Sequence, residues 1–539
     1  MVNLLHKRFF CALIITTSFL TLSGCGMLFS SNHQKITLQS STKDASIKFQ
    51  KEAEAKNSKK VKVEKTSYYY TAQVSKPGYK TSNYAFQLHK RSPTYAFTIL
   101  NLAIPIYGWF YGIPLDLMTP KTRKFDKIQK IPALTPYEPR KSDEKYMLVH
   151  NTSIDAKGTD IIWHNYFSIN KFKNDNHQDS RSVRKQNKSK DKEDVKIDNT
   201  IFTSALNATM TEMNFRDTLS MFPNINNSLY LNATIKKVTF HYVTSKIAKN
   251  PSKQRYLGHA NNLISIELQI DWDVLDYYKQ SICTLKTDKK SDLFLISYSA
   301  SESEYHQKIA DAMEDNMDYS VMDIRKQLSD KGILKISNLK EQVIPAISID
   351  KPVADPNKRI NDFLKSSVTV KVDDGHGSGF VVSEDGYVIT AYHVVAGSKK
   401  IEVILNDSDK VEAEVVRKNT EADLALLKIK KNGLSPLLLS QTTDPEIGID
   451  VWAMGTPKTL ELGKSVSKGI LSGLRKANNV NYLQTDVSIN HGNSGGALIS
   501  KDGTVLGVVT SKLEGVGIEG VGFAISSQEI FNKLKLAYK

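Results

Sequence analysis

The chain has 539 residues, which is too long for a single hydrophobic core, so we expect several domains. Its apolar fraction of 40% and charged fraction of 24% are typical of globular proteins and exclude a chain that is disordered throughout. The formal net charge of +16 raises the question of nucleic-acid binding, but no nucleic-acid motif accompanies it. We therefore expect a solvated basic surface and no nucleic-acid partner.

Residues 1–24 have the pattern of a bacterial signal peptide. Lys7 and Arg8 precede an apolar run that has the length of a signal-peptide core and is short for a membrane span. Cys11 is removed with such a signal, and Cys283 lies in a strand-like run where a small buried side chain is expected. The mature chain is therefore predicted to have no internal disulfide.

The signal ends in the sequence LSGC, which resembles a bacterial lipobox. The resemblance implies cleavage before Cys25 and acylation of that residue, which would attach the protein to a lipid bilayer. A plain secretory signal that is cleaved nearby is the alternative. Gly26 follows the cysteine, where an Asp favours inner-membrane retention, so the resemblance implies the outer membrane of a Gram-negative bacterium.

Residues 25–135 are predicted to contain the lipid tether, a small β module and a hydrophobic segment. Strand-like alternation runs through 34–92, with a turn at KPGYKT, and this unit weakly resembles the PEGA modules of surface lipoproteins. The hydrophobic segment 95–118, in which residues 95–115 carry no charge, is long enough to span a bilayer but is interrupted by Pro and Gly. A hydrophobic hairpin on the membrane or against the β module is the favoured interpretation, and a continuous span is the other.

Residues 140–345 are predicted to form a central α+β domain. Long alternating strands are followed by a helical pattern from Tyr305, with one apolar stripe through Met313, Met317 and Val321. Residues 170–196 are polar and highly charged, so we expect a disordered insertion or a long surface loop. No metal-ligand spacing is present, and the domain is predicted to bind or position something that the sequence does not identify.

Residues 346–359 contain two prolines and few large apolar side chains, so they are predicted to be a linker. From residue 360 to 539 the pattern changes to short strands separated by glycine turns. Two series of about six strands predict an all-β pair of barrels, followed by a C-terminal helix.

Three polar residues of this C-terminal region could together perform nucleophilic catalysis. His393 ends a strand in TAYHVV, Asp423 opens ADLALLKI, and Ser494 lies in GNSGG. Serine acyl transfer needs a hydroxyl, a base that accepts its proton and an acid that orients the base. Each residue alone could be structural, but the order His, Asp, Ser is that of chymotrypsin-type proteases. The first two would lie in the first barrel and Ser494 in the second.

Several segments of residues 360–539 resemble the protease domain of HtrA-like, trypsin-like serine peptidases. They are GHGSGFVVSEDGYVITAYHVVAG, ADLALLKI, GKSVSKGILSGL, LQTDVSINHGNSGGALIS and VGFAIS. The resemblance implies a chymotrypsin-like double barrel, with His393 as general base and acid, Asp423 as its orienting acid and Ser494 as nucleophile. The backbone N–H groups of Gly492 and Ser494 would form the oxyanion hole. No metal or other cofactor is implied.

The resemblance also makes expectations about specificity. Ser488 falls where a trypsin has an Asp at the base of the primary pocket, and Asn490 would help to shape that pocket. A neutral base favours small or medium apolar side chains before the scissile bond. His491 and Ala497 depart from the usual pattern, and His491 could alter the oxyanion loop. No PDZ domain or trimerisation arm is recognisable, so the N-terminal modules are expected to regulate or position the protease; an oligomer is possible.

Three functions are compatible with this sequence. The leading prediction is a lipid-anchored serine endopeptidase of the envelope that cleaves unfolded or exposed polypeptides, with protein quality control as its expected role. The first alternative is a binding or scaffold lipoprotein with a catalytically silent protease fold. The second is a structural lipoprotein whose protease stays silent until a partner orders its loops. The intact His393, Asp423 and Ser494 motifs favour the enzyme.

Overall fold

A computed structural model shows three units along the chain. It describes residues 31, 33–50, 52–65, 69–87, 90–91, 123–155, 161–168, 199–217, 225–245, 262–297, 300–336, 344–353, 358–373, 375–406, 409–456, 464–490, 492–512 and 521–539. The predicted signal peptide, Cys25, the hydrophobic segment 95–118, the charged stretch 170–196 and His491 lie outside these residues. Among the residues described, no helix is both long and apolar enough to cross a bilayer.

The N-terminal unit consists of strands that bury one face. Val61 and Val63 point into the core, and Lys60 and Lys62 face solvent, which is the alternation expected of a half-buried strand. The strands are β1 His33–Ser40, β2 Ser46–Lys48, β3 Ala55–Lys56, β4 Ser58–Glu64, β5 Tyr69–Ser75, β6 Ser82–Gln87, β7 Lys90–Arg91, β8 Arg123–Lys124 and β9 Ile128–Ile131. They form sheets in the orders β4-β1-β9, β3-β2-β5-β6 and β7-β8.

The central unit is an α+β arrangement, as the sequence predicts. Its elements are β10 Tyr146–Ile154, β11 Ile161–Ser168, α1 Asn199–Glu212, β12 Ser228–Ser245, β13 Asn262–Leu275, β14 Ser281–Lys290, β15 Phe294–Ile296 and α2 Glu302–Asp330. The sheet has the strand order β10-β12-β13-β14, with β11 also paired to β12 and β15 to β13. Helix α2 begins where the Ser301 side chain accepts a hydrogen bond from the Glu304 N–H. Its apolar stripe packs with α1 against the sheet.

The C-terminal unit contains two closed six-stranded barrels, which confirms the predicted chymotrypsin-like fold. Their strands are β17 Ser367–Val372, β18 Gly375–Val381, β19 Tyr387–Ala391, β20 Glu402–Asn406, β21 Asp409–Asn419, β22 Leu424–Ile429, β23 Asp450–Gly455, β24 Ser465–Ala477, β25 Val480–Thr485, β26 Ala497–Ile499, β27 Val505–Lys512 and β28 Gly522–Ser526. The first barrel has the order β17-β18-β19-β22-β21-β20, and the second has the order β23-β24-β25-β28-β27-β26. One apolar core that includes Phe380, Leu426, Met454 and Ile525 is shared by both barrels.

The remaining elements close the barrels at their ends. Short helices α3 (Ile360–Phe363) and α4 (Tyr392–Val395) belong to the first barrel, and α5 (Ser527–Leu534) follows the second. Part of the predicted linker is not a linker: Ile347–Ile349 forms strand β16, which pairs in parallel with the last strand, β29 (Leu536–Tyr538). Residue Ile349 is buried in the shared core, so apolar burial orders this segment despite its neighbouring prolines.

Candidate active site

His393 and Asp423 are brought together by the pairing of two strands of the first barrel. Strands β19 and β22 are antiparallel with Ala391 opposite Leu424, so the residues that follow β19 meet the residue that precedes β22. The imidazole Nδ1 of His393 lies 2.6 Å from Oδ2 of Asp423, and the His393 backbone N–H donates to Oδ1 at 2.8 Å. The carboxylate therefore fixes both the ring and the backbone of His393.

Asp423 is held as an acceptor by three hydrogen-bond donors. Besides the two groups of His393, the hydroxyl of Thr510 on β27 donates to Oδ2 at 3.1 Å. The residue is only 5% exposed, and its backbone adopts φ = +53°, which Asp tolerates better than most side chains. With three donors on its two oxygens, the Asp423 carboxylate is arranged to orient the imidazole of His393.

The environment of His393 suits it to act as a base. Burial lowers the pKa of its imidazole, but the charge of Asp423 and the hydrogen bond to it outweigh burial, so the pKa is raised above its usual value. The side chain remains 36% exposed. With Nδ1 hydrogen-bonded to Asp423, the neutral ring has its lone pair on Nε2, where it can accept a proton.

Ser494 lies on the loop between β25 and β26 of the second barrel. Its hydroxyl donates to the carbonyl of Thr510 at 3.1 Å, and within the described residues it makes no hydrogen bond to His393. Thr510 therefore contacts both Asp423, through its hydroxyl, and Ser494, through its carbonyl. Catalytic hydrogen bonds are often long or poorly aligned in free enzymes and tighten when substrate binds.

The loop before Ser494 has a backbone that only glycine adopts easily. Gly492 has φ = +96°, and neither its N–H nor that of Ser494 donates to any group in the described part of the chain. The hydroxyl of Ser378 donates to the Gly492 carbonyl at 2.6 Å, and the Ser378 N–H donates to the Ser494 carbonyl at 2.8 Å. Among the described residues these two N–H groups have no acceptor, while their carbonyls accept hydrogen bonds from Ser378, and unpaired N–H donors are what an oxyanion hole requires.

The predicted pocket residues are adjacent. Ser488 is exposed, and the Asn490 amide approaches its hydroxyl at 3.4 Å. The Asn490 carbonyl also accepts the N–H of Asn493 at 3.0 Å, so Asn490 helps to fold the loop that carries Ser494. Sequence reasoning missed Ser378 and Thr510, although the first stands between two glycines in GHGSGF and the second in a strand that was recognised.

Comparison with known proteins gives one matching family and many relatives. Residues 377–508 match the family of trypsin-like peptidase domains. The serine protease Do-like HtrA of Bacillus subtilis is 32% identical over 210 residues, which cover 36% of this chain and 47% of that protein. The probable periplasmic serine endoprotease DegP-like of Halomonas elongata is 42% identical over 154 residues, or 28% of this chain and 32% of that protein. The chain thus spans less than half the length of either relative.

A crystal structure of the serine endoprotease from Yersinia pestis is 32% identical and covers 34% of this chain and 67% of that chain, with a TM-score of 0.31. The family match contains His393, Asp423 and Ser494. It does not extend to the N-terminal or central units. The C-terminal part of this chain therefore contains a trypsin-like peptidase domain that is similar to those of the HtrA and DegP serine proteases.

Proposed function

We propose that this protein is a serine endopeptidase that cleaves polypeptides in the bacterial envelope, where it serves protein quality control. The observation that carries the proposal is the His393–Asp423 pair, with Nδ1 and Oδ2 2.6 Å apart, together with a serine loop in which two backbone N–H groups have no acceptor among the described residues. A hydroxyl nucleophile, a base with an orienting carboxylate and oxyanion donors are the complete set that acyl transfer needs.

The reaction proceeds in two acyl-transfer steps. Ser494 turns toward His393, whose Nε2 accepts the hydroxyl proton as Oγ attacks the peptide carbonyl. The N–H groups of Gly492 and Ser494 hold the developing oxyanion, and each such donor contributes about 2.7–4 kcal/mol. His393 then gives its proton to the leaving amine, and Asp423 stabilises the imidazolium throughout. Water hydrolyses the acyl-enzyme by the same steps in reverse order.

Labelling with a fluorophosphonate, followed by casein cleavage, tests this function. Wild type is expected to be labelled and to cleave casein, and Ser494→Ala is expected to do neither. Ser500→Ala removes another serine hydroxyl of the second barrel, one that bonds to Asp502, and should retain both activities. Absence of labelling in wild type with substrate present would instead support the silent scaffold, which the bond from Ser494 to the Thr510 carbonyl favours.

Specificity for small or medium apolar side chains belongs to the same proposal. The hydroxyl of Ser488 carries no charge to pair with a Lys or Arg side chain. Peptide substrates that differ only in the residue before the scissile bond test this, and preference for Ala or Val over Lys or Arg is the expected result. Faster cleavage after Lys or Arg would show that Ser488 does not form the base of the pocket.

We also propose that acylated Cys25 anchors the protein to the outer membrane. Support comes from the lipobox-like sequence LSGC and from the similarity to a protein named as periplasmic. Radiolabelled palmitate should enter wild type and the Cys283→Ala control, which loses the half-buried thiol of β14, but not Cys25→Ala. Label that persists in Cys25→Ala would show that the lipobox assignment is wrong.

A further inference from the structure

A hairpin of the central unit reaches the first barrel beside the candidate active site. Strands β13 and β14 are joined by residues 276–280, and Tyr278 of this turn lies against the barrel. Its hydroxyl donates to the backbone carbonyl of Thr420 at 2.5 Å. Its ring meets the ring of Tyr392 edge to face, with centroids 4.6 Å apart and planes at 74°. One side chain thus contacts two separate segments of the barrel, helix α4 and the turn between β21 and β22.

These two segments carry the base and the acid. Tyr392 immediately precedes His393 in helix α4, and Thr420 stands three residues before Asp423. The segments are joined to each other by the Tyr392 N–H, which donates to the Asp423 carbonyl at 2.9 Å. Tyr278 therefore bridges, from outside the barrel, the same two segments whose separation sets the distance between Asp423 and the imidazole.

The environment of the Tyr278 hydroxyl keeps it a donor. Burial raises the pKa of Tyr278 well above its usual value, and the nearby charge of Asp423 raises it further, so the hydroxyl stays protonated at all physiological pH. The bond to the Thr420 carbonyl consequently does not depend on pH.

Neighbouring contacts hold the hairpin in this place. Within the central unit the ring of Tyr277 packs on Tyr278, with centroids 5.4 Å apart, and on Tyr230 at 5.9 Å. Across the interface Asn226 approaches the Thr420 hydroxyl at 3.1 Å. A Cβ placed on Gly397 would lie 2.2 Å from the Gln280 amide, so the barrel surface accommodates this hairpin closely.

We propose that Tyr278 is a positioning residue for the peptidase, through which the central unit sets the geometry of His393 and Asp423. This inference rests on the proposed endopeptidase function. Tyr278 touches neither substrate nor reacting atoms, so its effect is on the rate of the chemical step and not on substrate binding. The central unit is thus part of the catalytic assembly and not only a spacer between anchor and protease.

The test compares Tyr278→Phe and Tyr278→Ala with wild type, all as full chains. Tyr278→Phe removes only the bond to Thr420, and Tyr278→Ala also removes the ring contact. Tyr137→Phe is the matched control, because its hydroxyl bonds to Asp318 within the central unit. For each variant we would measure the rate of fluorophosphonate labelling, kcat and KM on a peptide, and thermal unfolding. The fourth measurement is the downfield proton NMR signal of the His393 Nδ1–H.

We expect kcat and the labelling rate to fall about tenfold in Tyr278→Phe and about 10²-fold in Tyr278→Ala, with KM unchanged. The Nδ1–H signal should shift in both and stay in place in Tyr137→Phe. Unchanged kcat and signal in folded Tyr278→Ala would overturn the inference. If wild type is not labelled, the proposed function fails, and the NMR signal alone then decides: a shift in Tyr278→Ala supports positioning, and no shift refutes it.

Discussion

Replacing Asp423 by Asn tests the proposed site most directly, because the two side chains have the same shape. In the structure Oδ1 accepts the His393 backbone N–H, and Oδ2 accepts Nδ1–H and the Thr510 hydroxyl. The Asn amide can keep one oxygen acceptor only. Since the backbone N–H cannot turn and the Thr510 hydroxyl can, we expect the oxygen to face the backbone and the NH₂ to face the imidazole.

That orientation forces the wrong tautomer on His393. An NH₂ donor opposite Nδ1 requires a lone pair there, so the neutral ring carries its proton on Nε2 and cannot accept one from Ser494. The corresponding substitution in the Ser-His-Asp template lowers kcat about 10⁴-fold, which is equivalent to about 5–6 kcal/mol of transition-state stabilisation. We expect the same order here, because the donor set around Asp423 offers no other arrangement that preserves the base.

Acyl-enzyme formation with a chromogenic ester, measured in single turnovers, provides the assay. Glu421→Gln is the matched control: it neutralises a carboxylate two residues away that forms a partly exposed ion pair with Lys533 at 2.9 Å, and ion pairs near the surface typically contribute at most about 1 kcal/mol. The control should retain activity within about twofold of wild type. A folded Asp423→Asn variant with a rate within about tenfold of wild type would show that Asp423 does not orient the base.

Three further results are expected from the same site. The value of kcat/KM should rise with pH through an apparent pKa above the usual His value of about 6.5, because Asp423 raises the pKa of His393 and only the neutral ring accepts a proton. A midpoint of the pH profile below about 6 would contradict this expectation. Gly492→Ala, at φ = +96°, should lower kcat about 10²–10³-fold with little change in KM, measured on a peptide substrate. Ser378→Ala leaves the Gly492 carbonyl without its donor and should lower the free energy of unfolding, measured in urea, by about 1–3 kcal/mol. An unchanged unfolding midpoint would show that this hydrogen bond does not stabilise the protein.

Much of the peptidase region could be predicted from sequence because its signals are local. Alternating strands bounded by glycine turns predicted two barrels, and the order of His393, Asp423 and Ser494 selected one kind of protease among several. The stripe through Met317 and Val321 predicted the long helix α2, which the structure shows at Glu302–Asp330. Periodicity and motif order survive in a single sequence because each depends on residues close together in the chain.

What the sequence did not reveal depends on contacts between distant segments. Ser378 reaches Gly492 across 114 residues, and Thr510 reaches Asp423 across 87. Tyr278 contacts Thr420 from another unit, 142 residues away. The strand at Ile347–Ile349 was predicted to be a linker because its partner, at the end of the chain, cannot be inferred from the residues beside it.

The position of the Ser494 hydroxyl connects the pH dependence with the resting geometry. It donates at 3.1 Å to the Thr510 carbonyl, and exchanging this bond for one to Nε2 of His393 replaces one net contribution of about 0.5–1.5 kcal/mol with another of similar size. The exchange is possible only while Nε2 has a lone pair. When His393 is protonated, Nε2 is a donor and offers no lone pair to the Ser494 hydroxyl. The hydroxyl then keeps its hydrogen bond to the Thr510 carbonyl. We therefore expect a single titration, that of His393, to control two changes on acidification: the loss of activity and the retention of the hydrogen bond from Ser494 to Thr510.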